Sequence, residues 1–154
     1  MRELLFFVAG KPQPGGSKRM VKNKATQQSM IIDANPKAKD WKSSVAQVAA
    51  STFQGIEPFA GPVKVSFRFQ LSRPKGHFGS GKNADQVKLS APKFPTGKPD
   101  VLKLARSTED SLTGILWRDD AQIVHEVLKK VYVLPDPFGT TSVIGCWIKV
   151  EEAE

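Results

Sequence analysis

The clearest pattern of hydrophobic and polar positions is a strict alternation in residues 63–71, VKVSFRFQL. A period of two predicts a strand with one buried face, here with Val, Phe and Leu pointing inward. A continuous apolar run, LLFFVAG at residues 4–10, suits a central strand buried on both faces. Two more runs, 122–134 and 142–150, are rich in β-branched and aromatic residues. The turn signal PDPFG between them favours a hairpin.

Two segments carry apolar residues at helical spacing. In the first, Asn35 is the expected N-cap and Pro36 the first helical position. The second follows Asp100 as N-cap, runs to Thr113 and is closed by Gly114. The order β-α-β-α-β-β predicts an α+β fold, in which two helices cover a single small mixed or antiparallel sheet.

Two long segments, at about residues 11–30 and 73–98, are predicted to be loops rich in Gly, Pro, Lys and Arg. The second is too long for a simple connection in a compact domain. It could be a solvated insertion, but it holds six basic residues against one acidic residue, Asp85, which favours contacts with phosphates. The candidate DNA contacts are Lys18, Arg19, Lys22 and Lys24 in the first loop and Lys75, Lys82 and Lys88 in the second.

Composition narrows the class of protein. A length of 154 residues fits one domain over residues 1–154, and no apolar run is long enough for a membrane helix or a secretory signal, so we expect a cytoplasmic protein. The single cysteine, Cys146, lies in an apolar run and is expected to be buried and inert. A formal net charge of +8 favours a polyanionic partner such as nucleic acid, although solvated lysines give the same composition.

Five acidic residues gather in one segment of this basic chain, KPDVLKLARSTEDSLTGILWRDDAQIV. Asp100 stands at the predicted helix entry, and Asp119 and Asp120 lie before the next strand. Close carboxylates raise one another's pKa unless solvent or a divalent cation neutralises them, so these three are candidate ligands for Mg²⁺. In a basic protein the combination favours metal-dependent phosphodiester hydrolysis. The alternatives are a plain turn, a helix cap and, for Asp110, an ion pair with Arg106.

The same segment resembles the signature of the RusA-type Holliday junction resolvases, the crossover junction endodeoxyribonucleases of bacteria and their phages. That signature reads Pro-Asp-x-Asp-Asn-Leu-x-Lys, then Asp-x-Leu-x-Gly, then Asp-Asp-x-Gln followed by Ile or Val. The chain keeps its order and internal spacing with Pro99, Asp100, Asp110, Leu112, Gly114, Asp119, Asp120, Gln122 and Ile123. Upstream, VAGKPQPGGSKRM and KAKDWKSSVAQVA resemble the family's opening and first helix.

The resemblance implies a RusA-like fold over most of the chain. It also implies a homodimer that binds branched DNA and cuts four-way junctions with symmetric paired nicks, using Mg²⁺ or, as a substitute, Mn²⁺. Roles in DNA recombination and repair and a phage or prophage origin follow, with neither a membrane nor a nucleotide cofactor as partner. The implied catalytic residues are Asp100, Asp119, Asp120 and Arg106, which stands in the place of the family's lysine. The implied metal ligands are Asp100, Asp110, Asp119 and Asp120.

One position departs from the signature. The family's second aspartate is Leu102 here, and the asparagine after it is Lys103, a candidate phosphate contact or a solvated helix lysine. Because leucine cannot bind metal, either Asp119, Asp110 or Glu109 compensates, or metal affinity and rate fall, or the protein binds junctions without cutting them. The retained aspartates favour an active enzyme. A basic adaptor or RNA-binding module remains a third hypothesis, although the aromatic pair of the RNA-recognition motif is absent.

Overall fold

The computed structural model describes residues 1–16, 18–133 and 143–154. Its two helices are α1 (Ala38–Thr52) and α2 (Val101–Leu112). Its strands are β1 (Glu3–Ala9), β2 (Lys18–Lys22), β3 (Ser29–Asp33), β4 (Val63–Leu71), β5 (Ile123–Tyr132) and β6 (Gly145–Glu152).

Four of the strands form a mixed sheet in the order β1-β6-β4-β5. The two pairs that include β6 are antiparallel, whereas β4 and β5 are parallel. The two helices pack against each other and contribute buried side chains to the same core as the sheet. This arrangement confirms the predicted α+β fold with two helices and a mixed sheet, and a two-stranded sheet of β2 and β3 is added to the predicted order.

The core lies between the helices and one face of the sheet. On β4 the alternation has the predicted result, since Val63, Val65, Phe67 and Phe69 are all buried. Both helices bring apolar side chains to the same cluster. Cys146 is also buried here, as expected, and burial raises the pKa of its thiol.

The limits of α2 agree with the sequence prediction. Asp100 is the residue before the first turn, Thr113 follows the last, and Gly114 has a φ of +84°, a left-handed conformation that favours glycine. The start of α1 was predicted too early. Asn35 accepts hydrogen bonds from the backbone of Lys37 and Ala38, so it closes a separate turn and the helix begins only afterwards.

Two strand predictions were wrong. The apolar run of β1 lies at an edge of the sheet, with Leu5 57% exposed, because its second face has no covering layer. The strands β5 and β6 do not form a hairpin, because β4 lies between them and β5 runs parallel to it. The PDPFG turn signal falls outside the described residues.

The first basic loop, predicted at about residues 11–30, holds an antiparallel ribbon of β2 and β3, separate from the main sheet. The second holds two short 3₁₀ turns, 75–77 and 81–83. Arg73 fixes this loop by donating to the Pro92 carbonyl at 2.7 Å and stacking on the Tyr132 ring. In the part of the chain that the structure describes, no helix is long and apolar enough to cross a membrane.

Candidate active site

The glycines at 15 and 16 bring the first loop onto the surface of α2. The backbone N–H of Gly15 donates to the Lys103 carbonyl at 2.9 Å, and a Cβ at Gly15 would lie 2.8 Å from the Cβ of Ser107. Gly16 has a φ of +83°, and a Cβ there would lie 2.6 Å from Cδ of Arg106. Only glycine fits this close approach, which makes the loop one wall of a cleft.

The central cleft has a volume of about 320 Å³ and runs along the side of α2 that faces the loop and β5. The sequence predicted roles for Lys103 and Arg106 and identified Leu102 as a departure from the signature, and all three line this cleft. Two glutamates, Glu109 and Glu126, complete its charged groups. The cleft therefore combines cations that suit phosphate with carboxylates that suit a metal ion or a proton.

The carboxyl groups of Glu109 and Glu126 form a pair across the gap between α2 and β5. Partial burial, the hydrogen bond to Glu126 and the charges of Glu126, Asp120 and Asp110 raise the pKa of Glu109 to about 8. Glu109 therefore keeps its proton at neutral pH, because a second negative charge beside Glu126 would be strongly repelled. The negative charges of Glu126, Asp120 and Asp110 thus all act on Glu109 of α2.

Glu126 was missed by the sequence prediction because β5 contains a bulge. Val63 pairs with Ile123 and Lys64 pairs with His125, which leaves Val124 as an extra residue. Beyond the bulge, the residue beside the inward-facing Val65 is Glu126. A simple period-two pattern from Ile123 would point Glu126 away from the helices, whereas the bulge turns it toward α2.

Asp120 is held by two donors at the base of a neighbouring cleft of about 350 Å³, which it lines together with Glu109 and Glu126. Its Oδ1 accepts from Nε1 of the buried Trp117 at 3.1 Å and from the hydroxyl of Thr113. These bonds fix one oxygen against the protein core. The Asp120 side chain as a whole remains exposed.

Asp119, the residue before Asp120, stabilises the local backbone. Its Oδ1 accepts from the Ala121 backbone at 2.8 Å and caps a short 3₁₀ turn, Asp120–Gln122. The Gln122 side chain completes the cap and donates to the carbonyls of Phe59 and Gly61, each at 2.9 Å. The adjacent aspartates therefore differ, since the first orients the turn and the second faces the glutamate pair.

The remaining predicted aspartates lie apart from Asp120. Asp110 Oδ2 forms an ion pair with Lys42 at 3.1 Å, on the side of α2 that faces α1. Asp100 lines a separate cleft of about 240 Å³ with Lys98 and Lys103. Within residues 1–16, 18–133 and 143–154, no three His, Cys, Asp or Glu side chains are arranged to hold a metal ion. The aspartates at 100, 110, 119 and 120 are thus not assembled into one metal centre.

The predicted DNA contacts are all exposed; Lys103 lies on α2 and the other seven lie in the two basic loops. In the first loop, Lys18, Arg19, Lys22 and Lys24 are exposed on or beside the β2–β3 ribbon. In the second, Lys75 and Lys82 are exposed, and Lys88 donates to the Gly76 carbonyl at 3.0 Å. These positions are compatible with contacts to a phosphate backbone.

Replacement of Glu109 by glutamine should remove a pH dependence of stability. The unfolded chain releases this proton near pH 4.5 but the folded chain holds it to about 8, so the group contributes stability below pH 4.5 that is lost as the pH rises to about 8. After allowance for solvent screening we expect about 1–2 kcal/mol. Thermal melts in chelator at pH 5 and 8 should show a smaller difference for Glu109→Gln than for wild type. An equal difference would exclude this role, and the exposed Glu57→Gln serves as control.

Comparison with known proteins places these features in a family. A protein-family model described as "Endodeoxyribonuclease RusA" matches residues 9–137 of the chain. The chain is also similar to "Uncharacterized protein YqaN" of Bacillus subtilis (strain 168), at 30% identity over 96 residues. That alignment covers 62% of the chain and 66% of the relative, just under two thirds of its length. The family match runs from the end of β1 through β5 and includes the central cleft and the neighbouring cleft that contains Asp120.

Proposed function

Because the chain belongs to the RusA endodeoxyribonuclease family, we propose that it resolves four-way DNA junctions by metal-dependent hydrolysis and cuts them with symmetric paired nicks. The family acts on branched DNA as a Holliday junction resolvase. The observation that carries the finer proposal is the convergence of Asp120, Glu109 and Glu126 beside the basic residue Arg106. Such a site can bind a phosphodiester and polarise water against it.

The donor set beside α2 fits Mg²⁺ in its chemistry. All the groups are carboxyl oxygens, which this ion prefers, and the protonated Glu109 can exchange its proton for a cation. We assign the ion to Asp120, Glu109 and Glu126, whereas Asp100 lies in a separate cleft. When bound, the ion activates water and neutralises charge on the leaving oxygen. Binding requires the three side chains to move closer together than they are in the structure.

The protein's own residues supply the other steps. Trp117 and Thr113 hold one oxygen of the Asp120 carboxylate and so orient this group. Arg106 and Lys103 line the central cleft and offset the negative charge of the phosphate. The Gly15–Gly16 loop forms one wall of this cleft.

We further propose that the glutamate pair compensates for Leu102. This leucine lines the same cleft as Glu109 and Glu126, so the cleft that lacks a carboxylate at one position contains two others. Of the compensating residues suggested by the sequence, Glu109 has this placement, whereas Asp110 is paired with Lys42 and Asp119 caps a turn. A homodimer in the bacterial cytoplasm completes the proposal, since two symmetric nicks need two equivalent sites.

A second candidate function is junction binding without cleavage. Two observations favour it, namely Leu102 and the absence of a preformed three-ligand group among the described residues. The two proposals agree on the substrate and differ in whether a metal-dependent product forms.

A cleavage assay separates the two. A synthetic mobile four-way junction, labelled on each strand in turn, is incubated with the protein in chelator, Mg²⁺ or Mn²⁺ and resolved on a denaturing gel. The enzyme proposal expects metal-dependent nicks at symmetric positions in opposite strands and little cutting of a duplex of the same sequence. Tight binding with no product in either metal would support the binding protein instead.

A further inference from the structure

The ribbon of β2 and β3 carries a pair of apolar side chains that nothing in the described fold covers. Met20 lies opposite Ile31 in the register of the two strands. They are 72% and 70% exposed, although neighbouring apolar side chains in a folded protein are normally buried. The two strands pack against each other and make no extensive contact with any other helix or strand of the described chain.

Charge indicates what covers this pair. The ribbon, residues 18–33, contains four basic residues and one acidic residue, Asp33, which lies opposite Lys18 in the register of the two strands. Because side chains alternate along a strand, Lys18 and Lys22 lie on the same face as Met20, one on each side of it. Unstacked DNA presents the apolar faces of its bases between charged phosphates. An apolar pair between two cations is complementary to such a surface.

The base of the ribbon lies at the Asp100 cleft, which shares Gly15 and Lys103 with the central cleft. Nδ2 of Asn35 donates to Oε1 of Gln13 at 3.2 Å and to the Pro14 carbonyl at 3.3 Å, which joins the chain entering β2 to the chain leaving β3. Both ends line the cleft that contains Asp100 and Lys103. A DNA strand in that cleft therefore passes along the ribbon.

The hairpin end of the ribbon is built to hold its shape. Oδ1 of Asn23 accepts from the backbone of Ala25 and Thr26, and the Asn23 N–H donates to the Gln28 carbonyl at 2.8 Å. Five-residue strands extend roughly 17 Å, and a two-stranded ribbon is narrow enough to enter a groove of DNA.

We propose that this ribbon recognises the branch point of the DNA, with Met20 and Ile31 packed against the unstacked base pairs and the flanking lysines on phosphates. The inference rests on the proposed function and deepens it by naming the element that distinguishes a junction from a duplex. At a branch point the bases are already partly unstacked, so insertion of an apolar pair costs less there than within a continuous duplex.

The test is equilibrium binding in chelator, with the full chain and 2-aminopurine placed next to the branch point. The variant Met20→Thr with Ile31→Thr keeps β-branched or β-compatible side chains and removes the apolar pair. The matched control, Val21→Thr with Met30→Thr, changes the opposite face of the same ribbon. We expect the first variant to bind the junction about tenfold more weakly than wild type and to show no rise in 2-aminopurine fluorescence at the branch point. Its affinity for duplex DNA should stay within about twofold of wild type. The control should bind both DNAs like wild type.

Several results would overturn the inference. If the variant at Met20 and Ile31 binds the junction like wild type, this inference fails while the proposed function stands. The same holds if the control variant loses as much junction affinity. A shift of the first variant from dimer to monomer on size exclusion would assign the apolar pair to a second copy of the chain. If wild type itself binds duplex and junction equally, the proposed function and this inference both fail.

Discussion

Replacing Asp120 with asparagine should lower the rate of junction cleavage about 10²- to 10³-fold, while junction binding stays at or above its wild-type level. Asparagine keeps an oxygen that accepts from Trp117 and Thr113, so the local structure is preserved. What is lost is the negative charge directed toward Glu109 and Glu126. Single-turnover cleavage in Mg²⁺ and binding in chelator, measured on the same junction, separate the two quantities.

The adjacent aspartate provides the matched control for this prediction. Asp119→Asn makes the same change of charge one residue away, and asparagine caps a turn about as well as aspartate. Its cleavage rate should stay within about threefold of wild type. Equal losses in both variants would mean that the net charge of the segment matters more than the position of one carboxylate. Undiminished cleavage by Asp120→Asn would contradict its catalytic role.

The sequence was most informative where local chemistry decides the structure. The N-cap at Asp100, the glycine at 114 and the alternation of Val63–Leu71 are each set by neighbouring residues, and each was predicted correctly. The family signature is of this kind too, since its spacing lies within one helix and one turn. That is why the aspartates could be located before the fold was known.

What the sequence did not reveal depends on contacts between distant elements. Whether β5 pairs with β6 or with β4 depends on a crossover that no local turn signal reports, so the hairpin was predicted wrongly. The bulge at Val124 arises in the pairing of two strands, and it alone directs Glu126 to the cleft. The sequence predicted a loop here because Gly, Pro, Lys and Arg dominate the segment and the two strands, KRMVK and SMIID, are short.

The residues of the candidate site were therefore identified partly from local sequence and partly from tertiary contacts. Asp120 and Arg106 were available from the signature, whereas the partner of Glu109 could be found only from the fold. The separate placement of Asp100 and the ion pair of Asp110 also depend on tertiary structure. A carboxylate count along the chain thus overestimates how many of these groups share one centre.

Replacing Glu126 with glutamine should reduce Mg²⁺-dependent cleavage about 10- to 100-fold, and Leu102→Asp should restore much of the loss in that background. The first change removes a carboxylate from the cleft, and the second supplies one to the same cleft from α2. Cleavage rates are measured over a range of Mg²⁺ concentrations, and Mg²⁺ affinity is measured by calorimetric titration. Affinity and cleavage rate should fall together in Glu126→Gln and recover together in the double variant. As the control, Asp110→Asn removes a nearby charge that is already paired with Lys42 and should change neither by more than about threefold. If Glu126→Gln cleaves normally at every Mg²⁺ concentration, compensation for the leucine must come from outside the glutamate pair.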